Sequence, residues 1–252
     1  MDQSLYQAAT ENFSLPHDVV KLPSGGMFYK SKKGSVKVGY LTANDENIIV
    51  NSVMSDKDSL ITTLLRSKLY EHDLKPEELL EGDIEAILIF LRNTSFGPEY
   101  TLITEDPKTG KSFQTEVLLD ELNIKKPEVP PNDDGTFLIT LPKSKSSVKV
   151  KPLTLGETNE INKYEREYPS GRVAPTVTWR LNKQIVELNG NSDKGAIAKF
   201  VDTMPIADSK YIRKFLKENQ PSLDLTKLVK TPSGEMVTVN VTFGVEFFRP
   251  FF

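Results

Sequence analysis

Cysteine is absent from this sequence, and histidine occurs only twice. Without cysteine the chain has no disulfide bond, no thiol nucleophile and no thiolate zinc site. The two histidines, His17 and His72, exclude a three-histidine metal site and give a serine–histidine–aspartate triad little support. We therefore expect no metal ion and no cofactor, and we identify no catalytic residue.

Long hydrophobic runs and an excess of positive charge are also absent. The longest apolar run, residues 86–91, has six residues, whereas a helix needs about 20 to span a bilayer. The first residues show neither the basic nor the apolar segment of a secretory signal. The net charge of −3 gives no basic field that would favour nucleic acid. We expect a soluble protein of one or two domains whose partners are neither membranes nor nucleic acids.

The most informative feature that is present is an internal similarity, the mark of a repeated structural unit. Residues 35–42 are SVKVGYLT and residues 147–154 are SVKVKPLT, so six of the eight positions are identical. A leucine–proline pair precedes each block, at residues 22–23 and 141–142. This block is the first of several features that occur twice.

Two further landmarks recur in the same order. The segments 83–92 and 208–217 both place apolar residues at helical spacing, and Pro107 and Pro232 each open a glycine turn that leads into an alternating strand. Both pairs keep an offset of 125 residues. Because chance rarely produces four landmarks in one order, we predict a tandem duplication of a small α+β unit.

Each copy is predicted to contain a strand, a capped helix, a buried helix and a β-hairpin. The two SVKV segments alternate apolar and polar residues, as half-buried strands do. Thr42 and Thr154 each precede an acidic residue by three positions, the spacing of a capping box at a helix start. The proline–glycine turns predict hairpins over residues 100–118 and 228–243. The predicted fold class is therefore α+β.

A change in composition marks the boundary between the copies. Residues 123–136 contain three prolines together with asparagine, aspartate and glycine, a composition typical of a linker. We predict an N-terminal arm over residues 1–20, a first repeat domain over residues 21–122, and a second over residues 137–252 that ends in an aromatic tail.

Two motifs that suggest chemistry are better explained as turns. Residues 109–112 resemble the end of a phosphate-binding loop, but Glu105 stands where that loop requires glycine, and a strand follows instead of a helix. Residues 106–110 have the shape of a zinc knuckle in which aspartate and threonine replace both cysteines. We therefore expect neither nucleotide nor zinc at this hairpin.

Two lysine clusters and His72 also have plain structural explanations. The lysines within residues 30–37 and 143–151 favour solvated loops, with contact to an acidic partner surface as the alternative. His72 follows a predicted helix, where a histidine usually complements the helix dipole or lies on the surface.

The C-terminus is unusually aromatic, because five of the thirteen phenylalanines fall within the last ten residues. Chain ends are usually polar and frayed, whereas burial of each aromatic ring contributes roughly 1.5–3 kcal/mol. We expect these rings to pack either on the second domain or in a groove of another subunit. The candidate partner-binding residues are Phe243, Phe247, Phe248, Arg249, Phe251 and Phe252.

An ordered set of segments resembles a known family. It comprises residues 21–29, the strand 36–38 with LTANDE at 41–46, residues 204–213 with the later Pro-Ser-Gly turn, and FFRP at 247–250. Together they are similar to the baseplate hub proteins of T-even-type contractile-tailed bacteriophages, over about residues 20 to 252. Some relatives in that family carry true zinc knuckles, which this sequence lacks, and the family offers no catalytic residues to transfer.

The resemblance implies a non-enzymatic component of the phage tail baseplate hub that docks onto other hub proteins. It implies a location in the virion tail, or in the host cytoplasm during assembly, and an oligomer is compatible with this role. One alternative is a hub assembly chaperone that is absent from the mature virion. An alternative of another class is a cell-wall hydrolase, which the lack of a histidine or cysteine beside a nucleophile disfavours.

Overall fold

A computed structural model describes residues 16–51, 57–243 and 245–248, and it has an α+β fold. The helices are α1 (Ala43–Asn51), α2 (Lys57–Lys68), α3 (Glu81–Phe96), α4 (Leu155–Arg166), α5 (Thr176–Gln184), α6 (Lys194–Thr203) and α7 (Ile206–Asn219). The strands are β1 (His17–Lys21), β2 (Ser35–Gly39), β3 (Glu99–Glu105), β4 (Ser112–Leu118), β5 (Ile124–Lys125), β6 (Phe137–Thr140), β7 (Ser147–Val150), β8 (Ile185–Leu188), β9 (Ser222–Leu223), β10 (Thr226–Lys230) and β11 (Met236–Asn240). The predicted fold class is confirmed. No helix in the described ranges is long and apolar enough to cross a membrane.

Each SVKV segment forms the second strand of an antiparallel pair. In the first half of the chain, before the predicted linker at residues 123–136, β1 pairs with β2, and Val20 lies opposite Val36. In the second half β6 pairs with β7, and Ile139 lies opposite Val148. Alternation puts these four side chains on the buried face of their sheets. The second sheet also takes up β8, in the order β6-β7-β8, so it is one strand wider than the first.

The predicted helix caps are confirmed in both halves. The Thr154 N–H donates to the Glu157 carboxylate at 3.1 Å, and the Glu157 N–H donates back to the Thr154 hydroxyl at 3.3 Å. At the start of α1 the Thr42 N–H donates to the Asp45 carboxylate at 2.7 Å. Asp45 also forms a buried ion pair with Lys68 of α2. These hydrogen bonds fix both helix starts, and in the first half the ion pair between Asp45 and Lys68 also joins α1 to α2.

A buried aspartate ties a loop to a helix in each half. Asp83 of α3 accepts a hydrogen bond from the Ser24 N–H at 2.8 Å and another from the Tyr29 hydroxyl. Asp208 of α7 accepts from the N–H groups of Lys143 and Ser144 at 2.7 and 2.8 Å. Each of these loops begins with a leucine–proline pair. Similar elements thus stand at corresponding positions in the two halves, while their origin by duplication stays a prediction.

The buried side chains form two hydrophobic cores, and the chain end belongs to the first of them. The second core is built from residues 137–216, with the rings of Phe137 and Phe215 5.4 Å apart. The first core is built from residues 20–119, and Val239, Val241, Phe247 and Phe248 pack into it. Packing therefore crosses the boundary predicted at residues 123–136, because the end of the chain returns to the first half.

The predicted arm and linker are partly ordered by strand pairing. Residues 17–20, the end of the predicted arm, lie in β1 and pair with β2, while residues 1–15 lie outside the described residues. Within the predicted linker, β5 pairs with β9, and the Val129 N–H donates to the Asn219 side chain at 2.8 Å. The linker is therefore held against the second half of the chain.

The two halves contact each other just before α3. The Leu155 N–H at the start of α4 donates to the Leu79 carbonyl at 2.9 Å. The rings of Phe28 and Phe137 lie 5.8 Å apart and join the two cores. These contacts set the position of α3 against the helices of the second half.

Substitution of Gly82 is expected to disturb another contact between the halves, in which the start of α3 packs against the backbone of residues 221–222. A Cβ at Gly82 would lie 2.3 Å from the Pro221 carbonyl oxygen and 2.6 Å from the Ser222 Cα, both backbone atoms. Because a backbone cannot give way as easily as a side chain, we expect Gly82→Ala to lower the free energy of unfolding by about 1–3 kcal/mol in urea denaturation.

Gly195→Ala in α6 is the matched control for this variant. The nearest neighbour of its added Cβ is a side-chain oxygen of Asp193 at 3.2 Å. Alanine also favours the helix by about 0.5–1 kcal/mol relative to glycine, so we expect little net loss. Equal losses in the two variants would contradict the importance of close packing at Gly82.

Candidate docking site

The aromatic side chains at the C-terminus pack on the first core. Phe247 and Phe248 are fully buried. The Phe247 ring centroid lies 5.4 Å from that of Tyr100, 4.8 Å from that of Phe243 and 5.1 Å from that of Phe248. Such edge-on and tilted contacts between rings add to the stability gained from burial alone.

A buried arginine lies against these rings. The Arg92 guanidinium is 5.1 Å from the Tyr100 ring centroid and 5.7 Å from that of Phe247, within the range of cation–π attraction. It donates hydrogen bonds to the carbonyl oxygens of Gly97 and Glu99, the latter at 2.8 Å. Burial lowers the pKa of Arg92 from its ordinary value, but these carbonyls and rings compensate the charge. Arg92 was not singled out from the sequence. Its position on the apolar face of α3 was the available signal, because a cation on such a face must find partners when it is buried.

A cavity of about 400 Å³ lies between the two halves and includes Phe243 in its wall. We refer to it as the inter-half cavity. The side chains of Ile84, Leu88 and Leu216 form its buried apolar floor. Helix α3 contributes one wall, and helices α4, α5 and α7 contribute the other.

The two walls of the inter-half cavity carry opposite charges. Helix α3 presents Glu81 and Glu85, whereas α5 presents Arg180 and α7 presents Arg213 and Lys217. Burial raises the pKa of Glu85 to about 7, and repulsion from the nearby acidic groups of α3 adds to the shift. At neutral pH part of the Glu85 population is therefore uncharged, and the cavity has a net positive charge.

Several charged side chains of this cavity have no oppositely charged partner within the described part of the chain. The side chains of Arg180 and Lys217 make no hydrogen bond or ion pair there, and the Arg213 side chain donates only to the Ser209 carbonyl of its own helix, at 3.4 Å. The side-chain oxygen of Gln184 is buried and accepts no hydrogen bond from these residues. The cavity thus offers cationic donors to an incoming acidic group.

Comparison with known proteins identifies the family. The model of the family described as T4 bacteriophage base plate protein matches residues 16–249, all but the first 15 and the last three residues. The chain belongs to this family. No curated protein and no solved structure shows significant similarity to it. As a phage base plate protein, it works in the virion tail among other base plate proteins.

Of the predicted partner-binding residues, the structure of this base plate protein brings three together. Phe247 and Phe248 lie in its first core, and Phe243 is half-buried between that core and the inter-half cavity. The expected packing on the second domain is therefore replaced by packing on the first. Arg249, Phe251 and Phe252 lie outside the described residues. A role for any of these residues in partner binding stays a prediction.

The two proline–glycine turns of the base plate protein contact each other. Asp106 accepts hydrogen bonds from the Ser233 N–H at 3.1 Å, the Ser233 hydroxyl at 2.9 Å and the Lys108 N–H at 3.0 Å. Burial raises the pKa of Asp106, but these hydrogen bonds outweigh it and hold the pKa below its usual range. The knuckle-shaped turns are therefore joined by a carboxylate, and residues 109–112 continue directly into β4 as a hairpin.

Removal of the Asp106 carboxylate is expected to uncouple the two hairpins. We expect Asp106→Ala to lower the melting temperature in differential scanning calorimetry, because the half-buried N–H and hydroxyl of Ser233 lose the carboxylate that accepts their hydrogen bonds. Asp224→Ala is the control, since Asp224 is hydrogen-bonded to Thr226 in its own turn.

If zinc copurified with the protein and stabilised it, our expectation of a metal-free turn would be wrong.

The lysine clusters and His72 lie on the protein surface or pair with neighbouring carboxylates. Lys33 pairs with Glu71 and Asp73, and Lys151 pairs with Glu157 at 2.6 Å. His72 is exposed beyond the end of α2. Because several of these lysines have carboxylate partners within the chain, the inter-half cavity is the stronger candidate for a docking site.

Proposed function

We propose that this base plate protein is a non-enzymatic component of the baseplate hub that docks onto other hub proteins during tail assembly. The family match carries the proposal, because it extends over both halves and thus over every element that lines the inter-half cavity. The cavity supports docking, since its walls combine an apolar floor with charged groups, as binding sites commonly do.

The test is to purify a tagged copy of the full chain from phage-infected cells and identify the proteins that bind to it. We expect baseplate hub proteins in the bound fraction, and the protein itself in purified virions by mass spectrometry. If it bound hub proteins in assembly intermediates but were missing from virions, it would be an assembly chaperone instead of a hub subunit. Recovery without any hub protein would contradict the docking role.

A turnover assay tests the non-enzymatic part of the proposal. Purified protein is incubated with peptidoglycan, and soluble muropeptides are measured against a lysozyme standard. We expect release no greater than in buffer alone. Release that scaled with protein concentration would show a cell-wall hydrolase.

A further inference from the structure

We propose that the inter-half cavity binds an acidic peptide segment of a partner protein that also carries an apolar side chain. This inference rests on the proposed docking function and specifies the chemistry of the partner at that site. It is carried by the juxtaposition, in one cavity, of a buried apolar floor and three cations that have no carboxylate partner among the described residues.

Charge complementarity selects an acidic occupant. Arg180, Arg213 and Lys217 come from two helices of the second half, and none forms an ion pair with a carboxylate in the described residues. A carboxylate of an incoming segment would gain charge-assisted hydrogen bonds from these side chains. The two guanidinium groups can bind a carboxylate through paired N–H donors, which fixes its orientation as well as its charge.

The apolar floor and the size of the cavity select a peptide. Ile84, Leu88 and Leu216 can cover an apolar side chain that stands close to the carboxylate in the bound segment. The volume of about 400 Å³ suits one or two side chains instead of a whole domain.

The cavity also makes binding dependent on pH. Glu81 and Asp83 of its own helix repel the Glu85 carboxylate, and the Leu223 N–H donates a hydrogen bond to it at 3.3 Å. The cations Arg180, Arg213 and Lys217 line the same cavity. Because the pKa of Glu85 is about 7, its carboxyl becomes charged as pH rises and then repels an acidic segment. Affinity should therefore be higher at about pH 6 than at about pH 8.

Fluorescence polarisation tests the inference with a labelled hexapeptide of alternating glutamate and leucine. We expect saturable binding to the full chain, and we expect Arg180→Ala/Arg213→Ala to weaken it at least about tenfold. Lys217→Ala should also weaken it, while Lys210→Ala, the same change on the same helix but outside the cavity, should not. Glu85→Gln should remove the difference between the two pH values.

Several results would overturn the inference. One is an equal loss of peptide affinity in Lys217→Ala and Lys210→Ala. Another is equal affinity for a peptide with glutamine in place of glutamate. A third is tighter peptide binding after removal of residues 249–252, which would make the chain's own end the occupant. The double variant is also tested in the pull-down from infected cells. If the peptide does not bind but hub proteins still copurify, only this inference fails; if hub proteins never copurify, the proposed function fails.

Discussion

Phe247→Ala is expected to lower the free energy of unfolding by about 3–5 kcal/mol, since it deletes a buried ring and leaves a cavity. The ring is fully buried and contacts Tyr100, Phe243 and Phe248. Its removal also takes one aromatic face from the buried Arg92 guanidinium. Urea denaturation followed by circular dichroism measures the loss.

Leu228→Ala in β10 is the control for this variant, because Leu228 is 67% exposed. We expect a change there within about 0.5 kcal/mol. If Phe247→Ala had the same free energy of unfolding as the unmodified protein, our conclusion that the chain end packs on the first core would be wrong. The rings would then be available to a partner, as the sequence interpretation allowed.

The second large effect is expected at Asp208. Replacement by alanine leaves the N–H groups of Lys143 and Ser144 without their acceptor, and we expect a loss of about 2–4 kcal/mol at neutral pH. Asp202→Ala in α6 is the matched control, because Asp202 is exposed. Equal losses would show that the loop after β6 does not depend on the Asp208 carboxylate.

Asp208 and its counterpart Asp83 are expected to respond to pH in opposite directions. Burial raises the pKa of Asp208, but hydrogen bonds from Ser144 and Lys143 outweigh it, so the folded pKa is lowered. Its stabilising contribution is therefore present above the unfolded pKa and is lost as pH falls through the folded pKa. Burial raises the pKa of Asp83 above its ordinary value. The contribution of Asp83 is present below the unfolded pKa and is lost as pH rises through the folded pKa.

Urea denaturation of Asp208→Asn and Asp83→Asn between about pH 3 and pH 7 measures both trends, since the unfolded pKa of aspartate is about 3.9. The stability difference between unmodified protein and Asp208→Asn should grow as pH rises, whereas the difference for Asp83→Asn should shrink. Parallel trends would contradict the contrast between two carboxylates that occupy corresponding positions.

Local elements were largely predictable from the sequence. The capping spacing at Thr42 and Thr154 placed two helix starts correctly, because a cap depends only on groups within three residues of each other. The hairpins β3–β4 and β10–β11 followed from proline and glycine, which set the backbone angles of a turn. The apolar spacing in residues 83–92 and 208–217 likewise lies in α3 and α7.

The docking site was far less predictable. The sequence indicated that the C-terminal rings would be buried. It did not indicate a role for Arg92 or for the charged groups of the inter-half cavity. Glu85 lies 95 positions before Arg180 and 128 before Arg213, so no spacing rule connects them. Only the packing of α3 against α5 and α7 brings these charges to one cavity.

The sequence by itself determined the α+β class, the family and the local elements, since helix caps, turns and hydrophobic periodicity act between near neighbours in the chain. The tertiary structure alone decided which surface covers Phe247 and Phe248, and which charges meet between the halves. The physical reason is that the hydrophobic effect depends on the apolar area removed from water and not on which surface covers it. A sequence can therefore show that a ring must leave water, but only the folded chain shows which core it enters.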